Sequence, residues 1–361
     1  MDTGLKLFLY FLGSFGFTLL MVYILLGFAQ SLGIRSKNDV HVRWSNTAKP
    51  SLGGIAIFIS VFLAVVVYSI SHPGENIFGE PKFVFFFIGS CLAFFMGLAD
   101  DAFNTRPLLK LSTQIMCGIL LVLADTIIPI SGNFILDGFL TIIWVVGLMN
   151  SLNMLDNMDG ITASITITIL LILMAFCLIF CCLVYDIHSF IVIGLLGSLS
   201  GFLWVNRPPS KLFMGDSGSQ LVGFAIAFYT VHFIWQFEHH SPLPIWVKTY
   251  VLMMILAIPF IDTFTVVFNR IRSKQSPAKG GKDHTTHHMV YAGHSEKQTW
   301  LFYWITALIL GAQGLLILYL YLIGFGYFSI LPFPSFLLVF YYLFRNTHAH
   351  PIPKHENLSG D

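Results

Sequence analysis

Carboxylate, amide, ammonium and imidazole side chains occur in four separate clusters along the sequence, three beside an apolar run and the fourth, the histidines, in a polar stretch between two apolar runs. The clusters comprise Asp100, Asp101 and Lys110; Asn153, Asp156 and Asp159; Asp216; and His284, His287 and His288. Two carboxylates about 4 Å apart repel by roughly 4 kcal/mol near a protein surface, so clustered carboxylates need protonation or a bound cation. Oxygen donors without a thiolate favour Mg²⁺, with Mn²⁺ as an alternative, and Mg²⁺ usually shares its site with substrate phosphates. The clusters therefore predict a metal-dependent site for a phosphate-bearing ligand.

Asp216 is the strongest single candidate for a metal ligand. It stands in the sequence Gly-Asp-Ser-Gly-Ser at the start of an apolar segment, where glycine permits close backbone approach and helix N–H groups attract anions. A plain helix N-cap is the alternative for this residue. Asn153, Asp156 and Asp159 share one face of a helical turn because they are spaced by three. Such a face suits metal ligation or nucleotide binding, and a helix end turned to water is the alternative.

The histidine cluster follows two lysines, Lys279 and Lys282. A structural zinc site needs about four ligands, and no thiolate is near, so zinc is disfavoured. Binding of a diphosphate by positive charge and hydrogen bonds fits these residue types better. For His288 the alternative is a solvated side chain.

The composition indicates the solvent in which these clusters must work. Of 361 residues, 56% are apolar and only 10% are charged, whereas a soluble domain carries about 25% charged residues. Lipid must therefore surround most of the chain. The five cysteines lie in apolar stretches without disulfide or zinc spacing, so we expect them in the core. No basic tract or RNA-binding motif occurs, and no nucleic-acid partner is expected.

Long apolar runs predict an all-α polytopic membrane protein, since a membrane-crossing helix needs about 20 mostly apolar residues. The runs do not alternate in polarity, which disfavours a β-barrel. We predict one catalytic domain, 1–345, with eleven spans, followed by a short C-terminal tail, 346–361. The predicted spans are 7–28, 52–70, 83–99, 112–130, 139–155, 161–183, 190–205, 219–236, 245–268, 300–323 and 325–344.

The distribution of positive charge predicts the orientation of these spans. Sixteen of the 19 Lys and Arg residues lie in loops after odd-numbered spans or in the C-terminal tail. Positive residues concentrate in cytoplasmic loops, so the N-terminus is predicted outside and the C-terminus inside. All four polar clusters lie on this same side. Ordinary loop hydration explains one such cluster but not four, so the sequence predicts an enzyme with a cytoplasmic active site in the plasma (inner) membrane.

Two acidic residues, Asp125 and Asp262, fall within predicted spans. Carboxylates inside a membrane usually have a function. Asp262 lies about two helical turns from the cytoplasmic end of its span, within reach of the same site. Asp125 lies near the outer end of its span and more simply marks the span boundary.

The clusters resemble the motifs of the polyprenyl-phosphate N-acetylhexosamine-1-phosphate transferases, the family of MraY, WecA and TagO. Five motifs occur in the family's order and cover most of the chain. They are Lys49-Pro50-x-x-Gly53-Gly54; Asp100-Asp101 with Pro107, Lys110 and Gln114; Asn150-x-x-Asn153-x-x-Asp156-x-x-Asp159-Gly160; Met-Gly-Asp216-Ser-Gly-Ser; and Asp283-His284 with His287. Asn157 stands where many relatives have glycine. The His-x-x-His-His spacing is closer to the WecA/TagO branch than to MraY.

The resemblance implies transfer of N-acetylhexosamine 1-phosphate from a UDP-sugar to polyprenyl (undecaprenyl) phosphate, with Mg²⁺ and release of UMP, at the start of a cell-envelope glycan. The implied partners are these two substrates and the lipid bilayer, and a homodimer is compatible with it. The implied roles are metal ligation by Asp216 and Asn153; catalysis by Asp100, Asp101, Lys110, His284 and His287; and substrate binding by Lys49, Asp156, Asp159 and His288. A phosphate monoester has a second pKa of about 6, so a general base gains little. We therefore favour direct displacement over an aspartyl-phosphate intermediate.

Two other classes of protein are compatible with a polytopic chain. A secondary transporter would place its binding residues near the bilayer midplane, often in repeated halves, whereas here they lie at span ends and no repeat is apparent. A membrane scaffold or lipid-binding protein would keep its function when Asp216 becomes Asn. The motif order favours the enzyme.

Overall fold

The computed structural model describes residues 3–31, 49–181, 186–237, 243–277 and 280–352. Within these ranges the chain is helical and contains no strand, which confirms the all-α prediction. The α-helices are α1 (Thr3–Ser31), α2 (Gly53–Ser71), α3 (Pro81–Phe103), α4 (Pro107–Leu123), α5 (Phe134–Leu155), α6 (Ile161–Phe176), α7 (Ile187–Asn206), α8 (Gly215–Thr230), α9 (Ile245–Ile255), α10 (Ala257–Arg272), α11 (Thr285–Tyr291), α12 (Glu296–Leu320) and α13 (Pro334–Ala349).

The number of helices suited to crossing a membrane is lower than predicted. Among the described residues, eight helices are long and apolar enough to cross, or nine when α9 and α10 count as one bent span. Helices also occur at the other two predicted spans, but α4 has only 17 residues and α13 only 16, whereas α6 and α8, of 16 residues each, continue as helix to Phe180 and Trp235. A polytopic helical protein is therefore confirmed, and the count of eleven is not.

Three predicted spans differ from the helices that form. The predicted span 245–268 breaks at Leu256 into α9 and α10, whose axes differ by 81°. Pro259 lies in the first turn of α10, where its missing N–H costs no hydrogen bond. The predicted span 112–130 instead ends at Leu123, and Asp125 has a positive φ of 53°. The predicted span 325–344 begins only at Pro334.

The most buried helices lie at the centre of the bundle and the least buried at its edge. In the most apolar 18 residues of each segment, 83% of the residues are buried in α7 and 94% in Gly215–Trp235, which includes α8, but only 17% in α1. α8 packs against α2, α3 and α5, while α1 lies along α7. The first turn of the central helix α8 carries Asp216, so the best metal-ligand candidate stands on the most enclosed helix.

Close backbone packing fixes the turn at the start of α8. The backbone N–H groups of Gly53 and Gly54 donate to the carbonyls of Phe213 and Met214 at 3.0 and 2.8 Å. A Cβ on Gly54 would lie 2.2 Å from the backbone nitrogen of Gly218. α2 therefore approaches the turn without side chains between the two backbones, as the Gly-Gly motif requires.

Candidate active site

A cavity of about 1240 Å³, lined by both charged and apolar side chains, lies where α3 and α5 end and where α4, α8 and α11 begin. Its volume exceeds the roughly 300–1,000 Å³ of most small-molecule sites, so it has room for a large ligand. Nine of the eleven predicted site residues line it: Asp100, Asp101, Lys110, Asn153, Asp156, Asp159, Asp216, His284 and His287. Of the remaining two, Lys49 contacts the lining residue Asp159, and His288 contacts the end of α13. The clusters predicted to lie on one side thus meet at one end of the bundle.

The Lys110 ammonium lies between three oxygen atoms from three different helices. Its Nζ is 2.7 Å from Asp216 Oδ2, 3.0 Å from Asn153 Oδ1 and 3.1 Å from Asp100 Oδ2. An ammonium has three donors, and all three are used. The repulsion between the two carboxylates is therefore offset by a cation that the chain itself supplies.

Asn153 completes the contacts of this cluster. Its Nδ2 donates to Asp216 Oδ1 and to Ser219 Oγ, each at 2.9 Å. About a third of the Asp216 side chain remains accessible (32%), against 14% for Asp100 and 18% for Lys110. Of this charged trio, Asp216 is thus the group most open to a ligand entering the cavity.

The two adjacent aspartates of α3 have different partners. Asp100 Oδ1 accepts from the backbone N–H and the hydroxyl of Thr105 at 2.8 and 2.6 Å, and its other oxygen faces Lys110. Asp101 accepts from the backbone N–H groups of Asp216 and Ser217, both at 3.0 Å. Asp101 thus binds N–H groups in the first turn of α8, which have no intrahelical partner. Asp100 belongs to the charge cluster, whereas Asp101 holds the backbone that carries Asp216.

We expect Gly97→Ala to lower turnover by about 100-fold, because a Cβ at this position would lie 2.2 Å from the Asp216 carbonyl oxygen. The turn must then shift, and a displacement of about 1 Å in a site costs roughly that factor. Gly16→Ala on α1 is the matched control, since nothing lies within 4 Å of the added carbon. Steady-state kinetics on both purified variants checks this. Equal activities would mean that the turn tolerates displacement.

Lys49 and Asp159 form a second ion pair beside the cavity. Lys49 Nζ lies 2.9 Å from Asp159 Oδ2 and 3.0 Å from Ser210 Oγ. Ser210 donates its backbone N–H and its hydroxyl to Asp159 at 2.8 and 2.7 Å. The pair joins the segment before α2 to the loops after α5 and α7. Asp156, immediately after α5, also lines the cavity.

Asp262 of α10 holds the start of α11, where the histidines lie. His284 Nδ1 lies 2.8 Å from Asp262 Oδ2. Asp262 Oδ1 accepts from the backbone N–H and the hydroxyl of Thr285 at 2.9 and 2.6 Å. Asp262 is buried (1% exposed). Asp262 does not itself line the cavity, as the sequence suggested it could, but it contacts His284, which does.

The neighbouring histidines differ in position. His288 Nδ1 bonds to the backbone carbonyl of His350 at 2.7 Å, so His288 ties α11 to the end of α13. Burial lowers the pKa of His288, and the His350 carbonyl only partly offsets this. His287 lines the cavity at the start of α11 and is buried. Lys279 lies outside the described residues.

We expect acid to destabilise the protein through His287. Burial, and then the nearby His284, lowers the pKa of His287 from 6.5 to about 3. Between these two values the unfolded chain binds more protons than the folded chain, so stability falls as the pH falls. One pKa unit corresponds to about 1.36 kcal/mol, so going from pH 7 to pH 5 should cost the wild type about 2 kcal/mol more than His287→Gln.

Unfolding in detergent at pH 5, 6 and 7 measures this difference. His294→Gln is the control, because His294 is exposed a few residues beyond α11 and should keep the wild-type pH dependence. Parallel pH curves for the wild type and His287→Gln would contradict the prediction.

Several residues that hold the site were not predicted. Thr105 binds Asp100. The sequence signal for this contact is Asn104, a residue type that can end a helix in the left-handed conformation, as it does here after α3 (φ 48°). Arg270 pairs with Asp283 through two hydrogen bonds of 2.7 Å. Burial raises the pKa of Asp283, but the hydrogen bonds and charge of Arg270 outweigh it and hold that pKa below its usual value. The sequence offers no signal for this pairing.

Asn157 connects two segments that contribute residues to the cavity wall. Its Oδ1 accepts from the Thr286 hydroxyl at 2.6 Å, and its Nδ2 donates to the Met154 carbonyl at 3.0 Å. A glycine here would make neither contact. The asparagine that departs from the family pattern thus links the loop after α5 to α11.

The fold and the cavity define a polytopic helical membrane protein with a charged, ligand-sized site at one end of its bundle. Residues 83–234 match the model of glycosyl transferase family 4, which confirms the family resemblance of the motifs.

Relatives of this chain are named as transferases. The chain is 27% identical over 352 residues to a decaprenyl-phosphate N-acetylglucosaminephosphotransferase of Mycolicibacterium smegmatis, covering 87% of this chain and 84% of the relative. It is 25% identical over 277 residues to a probable undecaprenyl-phosphate N-acetylglucosaminyl 1-phosphate transferase of Bacillus subtilis (74% and 73% covered). It is 23% identical over 319 residues to the undecaprenyl-phosphate alpha-N-acetylglucosaminyl 1-phosphate transferase of Escherichia coli K12 (84% and 81%). These names give no support to a transporter.

Proposed function

We propose that this protein transfers N-acetylhexosamine 1-phosphate from a UDP-sugar to a polyprenyl phosphate and releases UMP. The observation that carries the proposal is the convergence of Asp100, Lys110, Asn153 and Asp216 on one wall of a large cavity. The relatives, whose names specify an N-acetylglucosaminyl group and an undecaprenyl or decaprenyl phosphate, support the same reaction. UDP-N-acetylglucosamine is accordingly the first donor to test.

In the proposed reaction an oxygen of the polyprenyl phosphate attacks the β-phosphorus of the UDP-sugar. The bond between that phosphorus and the oxygen bridging it to the α-phosphorus breaks, and UMP leaves with the bridging oxygen. The acceptor phosphate is largely ionised at neutral pH, so no side chain needs to remove a proton. The protein must instead hold two anionic groups in line and offset their charge.

The side chains of the cavity suit this task. Lys110 supplies a fixed positive charge that offsets negative charge on the diphosphate. His284 and His287 stand on the wall formed by the start of α11 and supply ring nitrogens as hydrogen-bond donors to phosphate oxygens. Asp159, held by Lys49 and Ser210, shapes the nucleotide side of the cavity.

Mg²⁺ is the proposed cofactor, with Asp216 and Asn153 as its protein ligands. The donor set fits this ion, because carboxylate and amide oxygens converge here and already hold the ammonium of Lys110. In the described part of the chain, no three His, Cys, Asp or Glu side chains are placed to hold a metal alone. Mg²⁺ commonly takes its other ligands from substrate phosphates and water. When bound, it would offset the charge that develops on the phosphoryl oxygens.

We further propose that the cavity faces the cytoplasm and that the protein resides in the plasma (inner) membrane, with its N-terminus outside. The excess of Lys and Arg in the loops on the cavity side supports this orientation. Labelling of single cysteines, placed in a variant that lacks the five native cysteines, from either side of sealed vesicles tests it, with one cysteine at Lys211 in the loop before α8 and one at Gly74 between α2 and α3.

A UMP-release assay tests the reaction. Purified protein is mixed with polyprenyl phosphate and each member of a panel of UDP-sugars, with Mg²⁺, with Mn²⁺ or with EDTA. We expect UMP and polyprenyl-diphospho-sugar in equal amounts, only with metal present. Uptake of a solute into sealed vesicles with no UMP released from any donor would favour a transporter. Turnover in EDTA would contradict the proposed requirement for a metal but not the proposed transfer reaction.

A further inference from the structure

We propose that Asp262 is a positioning residue that orients the His284 ring, so that Nε2 faces the cavity and serves the diphosphate. The inference rests on the proposed function for the identity of the ligand. It assigns a role to a residue inside a membrane-crossing segment that none of the matching motifs includes.

Three donors converge on the two oxygens of Asp262. Its Oδ2 lies 2.8 Å from His284 Nδ1, and its Oδ1 accepts from the backbone N–H and hydroxyl of Thr285 at 2.9 and 2.6 Å. An ionised carboxylate can only accept, so the proton of this contact lies on Nδ1 of the imidazole. With Nδ1 occupied, the other ring nitrogen of His284 is the one available to the cavity that this residue lines.

The charge of Asp262 has a chemical consequence for the ring. A carboxylate bonded to Nδ1–H fixes the tautomer and orientation of an imidazole and stabilises the imidazolium form, as the aspartate does in a catalytic triad. The imidazolium carries N–H donors on both nitrogens. Only in that form can His284 bond Asp262 through Nδ1 and donate to a phosphate oxygen through Nε2.

A purely structural role explains Asp262 less well. A buried ion pair is often no more stabilising than apolar side chains of similar volume. Asp262 is 1% exposed and lies in the second turn of α10, where its carboxylate contacts His284 and Thr285 at the start of α11. A neutral acceptor would anchor the backbone N–H of Thr285 equally well. The feature that requires a carboxylate is the imidazole.

A double-mutant cycle tests this role. We expect His284→Gln to lower kcat/KM by roughly 10²–10³-fold, as for loss of a donor to a transition state. Asp262→Asn should lower kcat/KM by roughly 10–100-fold, as is usual when the partner that orients a metal-binding histidine is removed. The double variant should be no slower than His284→Gln alone, because Asp262 acts through the ring. Multiplying losses in the double variant would overturn the proposal.

Thr285→Val separates ring orientation from anchoring of α11. It removes a hydroxyl from the same carboxylate but leaves the His284 contact and the Thr285 backbone N–H in place. We expect a smaller loss than for Asp262→Asn, at a similar cost in thermal stability. A loss as large as that of Asp262→Asn would mean that anchoring alone matters.

A measurement independent of turnover distinguishes failure of this inference from failure of the proposed function. In protein labelled with ¹⁵N-histidine, the His284 signals are identified among the 13 histidines by their loss in His284→Gln. They should report a proton on Nδ1 in the wild type, and this state should change in Asp262→Asn. A bare Nδ1 in the wild type would overturn the inference whatever the assay gives. A protonated Nδ1 without UMP release would support the positioning and reject the reaction.

Discussion

Asp216→Asn should abolish turnover, lowering kcat/KM by roughly 10³-fold or more, while the protein still folds. The substitution replaces an oxygen of the side chain that contacts Lys110 at 2.7 Å and Asn153 at 2.9 Å, and it removes the carboxylate proposed to hold Mg²⁺. Loss of one donor to a transition state already costs about 10²–10³-fold. Folding should survive because the side chain is partly accessible and because Asp101 binds only the backbone here. UMP release and thermal unfolding in detergent measure the two properties.

Asp125→Asn is the matched control for the same chemical change. Asp125 is exposed and has a positive φ of 53°, a conformation that asparagine tolerates. Its backbone carbonyl accepts from Gln236 Nε2 at 2.6 Å, a contact that does not depend on the side chain. This variant should keep wild-type kinetics. If Asp216→Asn retained turnover within about tenfold of this control, instead of showing the loss of roughly 10³-fold or more expected, the active-site assignment would fail and a scaffold would be favoured.

Lys110→Met should lower kcat/KM by roughly 10²–10³-fold, because it removes the charge that three oxygens share. Methionine has a similar reach but no donor, so Asp100 and Asp216 would face each other without a cation from the chain. Lys110→Arg should not restore activity. A planar guanidinium cannot reproduce a point charge with three diverging donors.

Lys211→Met provides the comparison for Lys110→Met. Lys211 is exposed in the loop between α7 and α8, and its backbone N–H rather than its side chain bonds to Val205. Its loss should leave kcat/KM unchanged. Full activity in Lys110→Arg would refute the three-way contact as a requirement and reduce the role of Lys110 to simple charge.

The meeting of distant motifs at one site was predictable from sequence, but the partners of individual side chains were not. Asp100, Asn153 and Asp216 were predicted together because each stands at the end of an apolar run on the positively charged side. Asp101 was predicted to be catalytic with Asp100, yet adjacent residues on a helix point about 100° apart. One therefore faces Lys110 and the other the α8 backbone. The order of residues in the sequence does not indicate which side chain or backbone group Asp100 and Asp101 will each contact.

Apolar runs located the helices well and their breaks poorly. Hydropathy over 245–268 is continuous, so one span was predicted, although Pro259 favours the first turn of a helix and thus a helix start near Leu256. The bend matters for the site, since α10 brings Asp262 to His284, 22 positions later in sequence. Near the C-terminus, Gly324 and Gly326 have positive φ and delay α13 until Pro334.

The contacts of Asp101 also affect how a substitution of the Asp-Asp pair must be interpreted. A variant at Asp101 would release two amides of the helix start and let Asp216 drift, so an inactive Asp101→Asn enzyme is no evidence for a proton acceptor. Screens that score residues by lost activity would rank a scaffold contact and a reacting group alike. Only a probe of where the Asp216 backbone sits, such as hydrogen exchange at its amide, can tell the two apart.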